Sequence, residues 1–183
     1  DAGGEPQAKA AAGADERRFT IKGYGKAELR GAGHDFVWTF NAIPDHAPTI
    51  ALAKDPEQQA RGALQLTYKL EDDYGVVDAR ATFAPKKADA AAPPRALYDP
   101  PEFALVLPQT RTKSGVGQTM KDLTESPWAG ADVLMTLIAR DEAKNEGRSA
   151  PFEMRLPERI FVKPLARELV EQRRELALDA DAR

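Results

Sequence analysis

The chain has 183 residues, of which 42% are hydrophobic and 30% charged, and its formal net charge is -3. This length allows one or two domains, and the composition is that of an ordinary globular protein with a real core. A nucleic-acid-binding protein would need a concentrated basic patch, which this sequence lacks. Because the chain contains no cysteine, disulfides, thiolate metal sites and thiol nucleophiles are excluded, whereas the cytoplasm and a periplasm both stay compatible.

The start of the chain offers no anchor or leader. No apolar run approaches 18 residues, so the sequence predicts no transmembrane helix, and nothing resembles a signal peptide. The chain begins at Asp1 without a Met, as an excised fragment would, so these absences say little about a parent protein. Residues 1–18 are rich in Ala, Gly and charge without apolar periodicity, which predicts a disordered arm.

Residues 19–43 predict two or three antiparallel strands. So few strands are not stable alone, so this segment is interpreted as the terminal strands of a preceding β module. Three aromatic residues alternate within it: Phe36, Trp38 and Phe40. Residues 44–48 contain Pro44 and Pro48, which favour an extended backbone and predict a stiff linker, with a boundary near residue 45.

Residues 64–83 show two runs of strict polar and apolar alternation, separated by a segment of turn-forming residues, Asp72-Asp73-Tyr74-Gly75. Alternation with period two is typical of half-buried strands, and Asp and Gly favour turns, so the pattern predicts a long β-hairpin. The predicted inward face consists of Leu64, Leu66, Tyr68, Leu70, Val77, Ala79, Ala81 and Phe83.

Further strands are predicted in the remaining part of residues 49–157. They cover residues 49–53, 102–107, 116–124, 131–140 and 148–156, with loops at 86–101 and 111–117. With the hairpin, about seven strands result, the number expected of a small antiparallel sandwich. Their predicted inward residues are Val133, Met135, Leu137, Ala139, Phe152, Met154 and Leu156.

Residues 158–183 change to a helical period. Pro164 suits the first turn of a helix, and charged residues cover the side opposite an apolar stripe. The stripe is expected to pack on the domain or on helical sequence beyond the chain's end. Its members are Leu165, Leu169, Val170 and Leu176.

At several blocks the chain resembles an uncharacterised family of membrane-anchored proteins of alphaproteobacteria, assigned as a domain of unknown function. The blocks are Trp38 with Ile43-Pro44-Asp45 and Pro48-Thr49-Ile50, Leu70-Glu71-Asp72-Asp73-Tyr74-Gly75-Val76, Leu123-Thr124 with Pro127-Trp128-Ala129-Gly130-Ala131, and Leu156-Pro157-Glu158-Arg159 with Pro164-Leu165-Ala166-Arg167. The resemblance covers nearly the whole chain after Arg18. It implies transmembrane helices upstream, periplasmic modules of immunoglobulin or fibronectin type, and a long helical, Gln-rich region downstream. It supplies no catalytic residues.

An enzyme is the least favoured function class. The only histidines are His34 and His46, and neither lies in a nucleophile or metalloprotease motif. Asp72 and Asp73 form a carboxylate pair, but adjacent residues usually point in different directions, so a solvated turn is the better interpretation. The segment 114–117 lacks the strand-and-helix setting of a phosphate loop and predicts a flexible loop tip.

Two binding functions compete with a purely structural role. The first is calcium binding, by oxygen ligands that converge from separate loops, against the plainer reading of polar turns. Its candidate ligands are Asp45, Asp72, Asp73, Asp141, Glu142 and Asn145. The second is recognition of a peptide, glycan or partner protein through Tyr98, Phe103 and Trp128. Burial of Trp128 would assign it to the core instead, as the ring that seals one end of the sandwich.

The sequence therefore predicts a mainly β chain: an immunoglobulin/fibronectin-like antiparallel β-sandwich at residues 49–157 with a short C-terminal α-helix. The expected role is a non-catalytic structural or protein-interaction segment in the periplasmic part of an inner-membrane protein. We expect no catalytic residues, cofactor or metal. The expected partners are other modules of the same chain or envelope proteins, without nucleic acid and without membrane contact by this segment. Homo-oligomers through exposed strand edges are a further possibility.

Overall fold

The computed structural model describes residues 21–30, 35–59, 62–86 and 95–180. The predicted arm at residues 1–18 and residues 87–94 of the predicted long loop lie outside these ranges, as does His34. The chain divides into two compact units, Asp1–Asp45 and His46–Arg183. Each unit is described by itself.

The described part of the first unit is a ribbon of two antiparallel strands, β1 (Tyr24–Arg30) and β2 (Asp35–Asn41). Ala27 lies opposite Trp38 and Leu29 opposite Phe36, so these four side chains share one face of the ribbon. The rings of Phe36 and Trp38 stack with their centroids 6.0 Å apart. Both rings are about half exposed, so this aromatic face is uncovered within its own unit.

Within its described residues, the second unit contains seven strands and one helix, and its fold is mainly β with antiparallel pairing, as predicted. The arrangement is that of a β-sandwich. The elements are β3 (Thr49–Gln58), β4 (Ala63–Pro85), β5 (Glu102–Ala104), β6 (Thr112–Asp122), β7 (Asp132–Asp141), β8 (Glu146–Arg148), β9 (Phe152–Arg155) and α1 (Pro164–Leu178).

The predicted hairpin at residues 64–83 is wrong, because β4 runs through this segment as one strand without reversing. Its first half, residues 63–71, pairs with β3 and β6. Its second half, residues 76–85, pairs with β5 and β7, and β7 pairs in turn with β8 and β9. A strand that switches sheets at a bend forms a corner between two layers, and β4 therefore belongs to both.

Asp72 and Gly75 form this corner. The backbone N–H of Gly75 donates to the carboxylate of Asp72, and the φ of Gly75 is 112°, a value that side chains rarely adopt. The local chemistry that predicted a reversal thus produces a bend instead.

A β-bulge follows the corner and corrects one predicted core residue. Val76 pairs with Asp141 and Asp78 with Arg140, which leaves Val77 as the extra residue on β4. The inserted residue changes the parity of the alternation, so Val76 is fully buried whereas Val77 is 39% exposed. The predicted inward positions after the bulge, Ala79, Ala81 and Phe83, are all buried.

The core lies between the two halves of β4 and its partners, and the inward residues from both layers belong to one cluster. The hydroxyl of Tyr68 donates to the carbonyl of Val106 at 2.6 Å and shares a second hydrogen bond of 2.6 Å with the Thr119 hydroxyl. The backbone N–H of Val106 donates to that same hydroxyl at 2.8 Å. These hydrogen bonds join β4, β6 and the segment between β5 and β6. Each of the polar atoms involved has a partner, as buried polar groups require.

Several element boundaries differ from those predicted. Strand β6 begins at Thr112, so most of the predicted loop 111–117 is strand, and the predicted strand 148–156 is two short strands that both pair with β7. Helix α1 begins at Pro164 as predicted. Of the four residues in the predicted stripe, only Val170 is half-buried, so packing on the domain, the first of the two expected alternatives, holds for that residue alone. Leu165, Leu169 and Leu176 are exposed, whereas Ala177 is buried and Leu178 packs against the core.

Candidate functional site

Each acidic residue at the β4 corner has its own partner. Asp72 accepts the hydrogen bond from Gly75, and a carboxylate oxygen of Asp73 lies 3.1 Å from Nδ1 of His46. The hydrogen bond to His46 is the main cause that lowers the pKa of Asp73. The two adjacent carboxylates thus serve different contacts, as expected for a structural turn.

The second acidic turn, between β7 and β8, is held in the same way. Asp141 is 2% exposed, and its carboxylate accepts hydrogen bonds from the backbone N–H and the side-chain amide of Asn145, each at 2.8 Å. Glu142 pairs with Arg111 at 2.8 Å. The bonds between Asp141 and Asn145 close the loop onto the end of β7, as Asp and Asn often do in turns, and the ion pair with Arg111 connects the loop to the segment before β6.

The candidate calcium ligands do not form a cluster in the described part of the chain. There, no group of three or more His, Cys, Asp or Glu residues is arranged to hold a metal ion. Asp45 lies in the first unit, and the other candidates lie in the second. Asp72 and Asp141 accept hydrogen bonds within their own turns, whereas Asp73 pairs with His46 and Glu142 with Arg111.

An open cleft of about 870 Å³ lies beside the second acidic turn. It runs between the segment before β6 and the turn that joins β7 to β8, and Arg111 and Lys144 line it with left-handed backbones at φ values of 57° and 71°. The sequence analysis assigned residues 111–117 to a loop and did not predict this cleft. No motif in the sequence signals it, since its walls come from segments distant in the chain.

Charged residues beside the cleft form a network centred on Glu146. Its carboxylate lies 2.6 Å from Arg140, 3.3 Å from Arg148 and 3.5 Å from Arg80, so it connects β4, β7 and β8. The hydrogen bond from Arg140 is the largest cause that lowers the pKa of Glu146, and the same bond raises the pKa of Arg140. Groups held in such pairs stay ionised near neutral pH, which suits a structural network better than proton transfer.

The aromatic residues proposed for ligand contact are mostly core. Trp128 is 2% exposed, and its indole N–H donates to the carbonyl of Tyr98 at 3.0 Å, which confirms that its ring seals the sandwich. Phe103 is 8% exposed and packs on Phe83 with a centroid distance of 5.8 Å. Of the three predicted contact residues, only Tyr98 is exposed.

Helix α1 is docked on the second unit near Gly130, two residues after Trp128. Gly130, with a φ of 75°, lies so close to Arg174 and Glu158 that a Cβ there would overlap both side chains. Arg174 donates to Glu158 at 2.8 Å, and the carbonyl of Ala177 accepts from the N–H of Leu97 at 3.0 Å. The glycine thus permits a close approach that fixes one face of α1 to the domain.

Exposed large hydrophobic side chains concentrate at two places in the described part of the chain. Eight lie in residues 21–43 and six in residues 160–176, against seven in all described residues between them. Isolated apolar side chains on a surface need no explanation, but such concentrations mark contact surfaces. These two segments are therefore the candidate functional surfaces: the β1–β2 ribbon with its aromatic face, and the segment 160–176, where Leu165, Leu169 and Leu176 form the free face of α1 and the other three exposed residues precede the helix.

One family model, described as Domain of unknown function (DUF4175), matches the chain over its whole length, residues 1–183. A search of curated proteins finds no match. Among the described residues, no helix has the length and apolar character needed to cross a membrane.

Proposed function

We propose that this chain, which belongs to the family described as Domain of unknown function (DUF4175), is a non-catalytic structural and protein-interaction segment. The observation that carries the proposal is that the candidate acidic residues are engaged in structural contacts, whereas exposed hydrophobic side chains are concentrated in two segments. The acids singled out by the sequence form turn and loop contacts, as Asp72 and Asp141 do. The exposed large hydrophobic side chains instead concentrate in the β1–β2 ribbon and in the segment that contains α1.

The second unit has the features of a rigid spacer. Strand β4 joins both layers, and the three-stranded set of β3, β4 and β6 packs with the set of β5, β4, β7, β8 and β9. This pairing supports a sandwich of immunoglobulin or fibronectin type at residues 49–157. Such a unit would hold neighbouring parts of a longer protein at a fixed distance.

The first unit would complete a neighbouring β module. A two-stranded ribbon is marginally stable by itself in water, and the aromatic face of β1 and β2 is uncovered within its own unit. The ribbon would therefore form the terminal strands of a module whose other strands cover Phe36 and Trp38.

The proposed location is the periplasmic part of an inner-membrane protein. It rests on the resemblance to membrane-anchored proteins and is tested by adding protease to spheroplasts. Proteolysis without lysis of the inner membrane supports a periplasmic location. Protection that is lost only on lysis would place the segment in the cytoplasm.

Site-specific photocrosslinking in the native cell tests the proposed role. A photoreactive amino acid replaces Trp38 on the ribbon, Leu169 on α1, or Lys121, an exposed residue of β6 that serves as the control. We expect protein adducts from positions 38 and 169 and few from 121. Equal yields from all three positions, or none from 38 and 169, would contradict an interaction role for these surfaces.

A further inference from the structure

We propose that α1 pairs in parallel with α1 of a second copy of this chain, along its free face. This inference deepens the proposed interaction role by naming the partner of one surface. It rests on a stripe whose members are Leu165, Leu169, Gln172 and Leu176.

The spacing of the stripe is that of a coiled-coil seam. Its successive members lie four, three and four residues apart, which is the alternation of the a and d positions of a heptad. Leu169 and Leu176 take a positions, and Leu165 and Gln172 take d positions. The three leucines are 74%, 58% and 52% exposed in chain order at positions 165, 169 and 176, so the seam is open along its length.

Docking of α1 on its own domain leaves this seam free. The docked face contains Ala166, Val170, Arg174 and Ala177, of which Ala177 is buried and the others are half-buried. At about 100° per residue, the centre of this face lies roughly a third of a turn from the centre of the seam. A second helix can therefore pack on the seam while the first stays docked.

The charges beside the seam select a parallel pair of identical helices. Glu168 precedes an a position and Arg173 follows a d position, so they occupy g and e positions. In a parallel dimer, Glu168 of one copy faces Arg173 of the other, and symmetry repeats this ion pair. In an antiparallel dimer with the leucines aligned, Glu168 would face Glu175, which is unfavourable, and Arg173 would face Ala166 without an ion pair.

Both charges are available for such a pair. Neither Glu168 nor Arg173 forms an ion pair with another residue that the structure describes. Glu168 accepts only a long hydrogen bond of 3.4 Å from Gln172, itself on the seam. A polar residue at one seam position also fixes the register, because only the aligned pair places both glutamines opposite each other.

The length of α1 makes the dimer reversible. Fifteen residues present two heptads, which buries less surface than a standard interface of about 1,200 Å² or more. We therefore expect a weak dimer whose population rises with protein concentration.

Sedimentation equilibrium of the 183-residue chain over a range of concentrations measures this association. We expect a monomer and dimer equilibrium that Leu169→Glu abolishes. Met120→Glu is the matched control, since Met120 is 60% exposed on β6, outside the seam, and this change also tests pairing through the sheet edge. Thermal unfolding verifies that both variants fold. A monomer at every concentration, or equal loss of the dimer in both variants, would overturn the proposal.

Charge reversal tests the orientation. Glu168→Arg and Arg173→Glu should each weaken the dimer at least about threefold, and the double variant should restore it, because the pair is re-formed with opposite polarity. Failure of the double variant to recover would contradict the parallel pairing.

A single cysteine gives a second test of orientation. The chain has no native cysteine, so Leu169→Cys should oxidise to a disulfide-linked dimer, because parallel helices bring the two a positions together. Met120→Cys should not. Absence of the Leu169→Cys disulfide would overturn the proposal. In the native cell, adducts from position 169 only to other proteins would contradict this dimer while leaving the interaction role in place.

Discussion

Replacement of Gly75 by alanine should strongly destabilise the second unit. Gly75 has a φ of 112°, and an added Cβ would lie 2.7 Å from the carbonyl oxygen of Arg111. A positive φ costs a residue with a side chain about 1–2 kcal/mol. Relief of the contact requires a backbone shift, for which overpacking costs of about 1–3 kcal/mol are typical. We therefore expect Gly75→Ala to lower the free energy of unfolding by about 2–5 kcal/mol.

Urea unfolding followed by the fluorescence of Trp128 measures this loss, in a Trp38→Phe background that removes the signal of the first unit. Gly115→Ala is the matched control, because Gly115 has no positive φ and an added Cβ would come no closer than 3.3 Å to its neighbours. The control should change the free energy of unfolding by less than about 1 kcal/mol. Equal effects of the two substitutions would refute the view that the β4 bend requires glycine.

Three further predictions concern the buried polar network, the ion pairs and the acidic turns. Tyr68→Phe should lower the free energy of unfolding in urea by about 1–3 kcal/mol, because the Val106 carbonyl and the Thr119 hydroxyl lose their shared partner; no change would contradict a structural role for the hydroxyl. Because Arg140 lowers the pKa of Glu146, this carboxylate contributes stability that is present above its ordinary pKa of 4.5 and is lost as pH falls through the lowered pKa. Glu146→Gln should therefore flatten the acid side of the plot of melting temperature against pH, and an unchanged slope would assign the acid sensitivity to other groups. Calcium at about 1 mM should leave the melting temperature unchanged, because the candidate ligands do not form a cluster in the described residues. A ligand that binds only the folded state raises the melting temperature, so a rise would support the calcium site.

Most strands and most of their buried faces could be predicted from the sequence, because alternating polarity directly reflects which side of a strand is buried. Val133, Met135, Leu137 and Ala139 all lie in the core as predicted. The same alternation does not show whether the chain reverses between two runs or continues past a bend. Asp and Gly suit a reversal and a corner equally well. The hairpin prediction was therefore wrong, although all its predicted inward residues except Val77 are buried.

The docked face of α1 could not be predicted from the hydrophobic pattern of the sequence. The predicted stripe consisted of three leucines and Val170, but only Val170 belongs to the docked face, which is otherwise formed by Ala166, Arg174 and Ala177. Close approach at Gly130 and the ion pair with Glu158 decide the docking, and both depend on contacts distant in sequence. The cleft beside Arg111 escaped prediction for the same reason.

The central structural claim is that β4 is a single strand shared by two layers, which sets the corner, the core and the docking of the helix. A distance between spin labels at Lys69→Cys and Asp78→Cys tests it most directly, since both positions are exposed and the chain has no other cysteine. A continuous strand separates these positions by up to about 30 Å, less the effect of the bend, so we predict more than about 20 Å. A hairpin would place them on adjacent strands about 5 Å apart, and a label distance below about 15 Å would contradict the account.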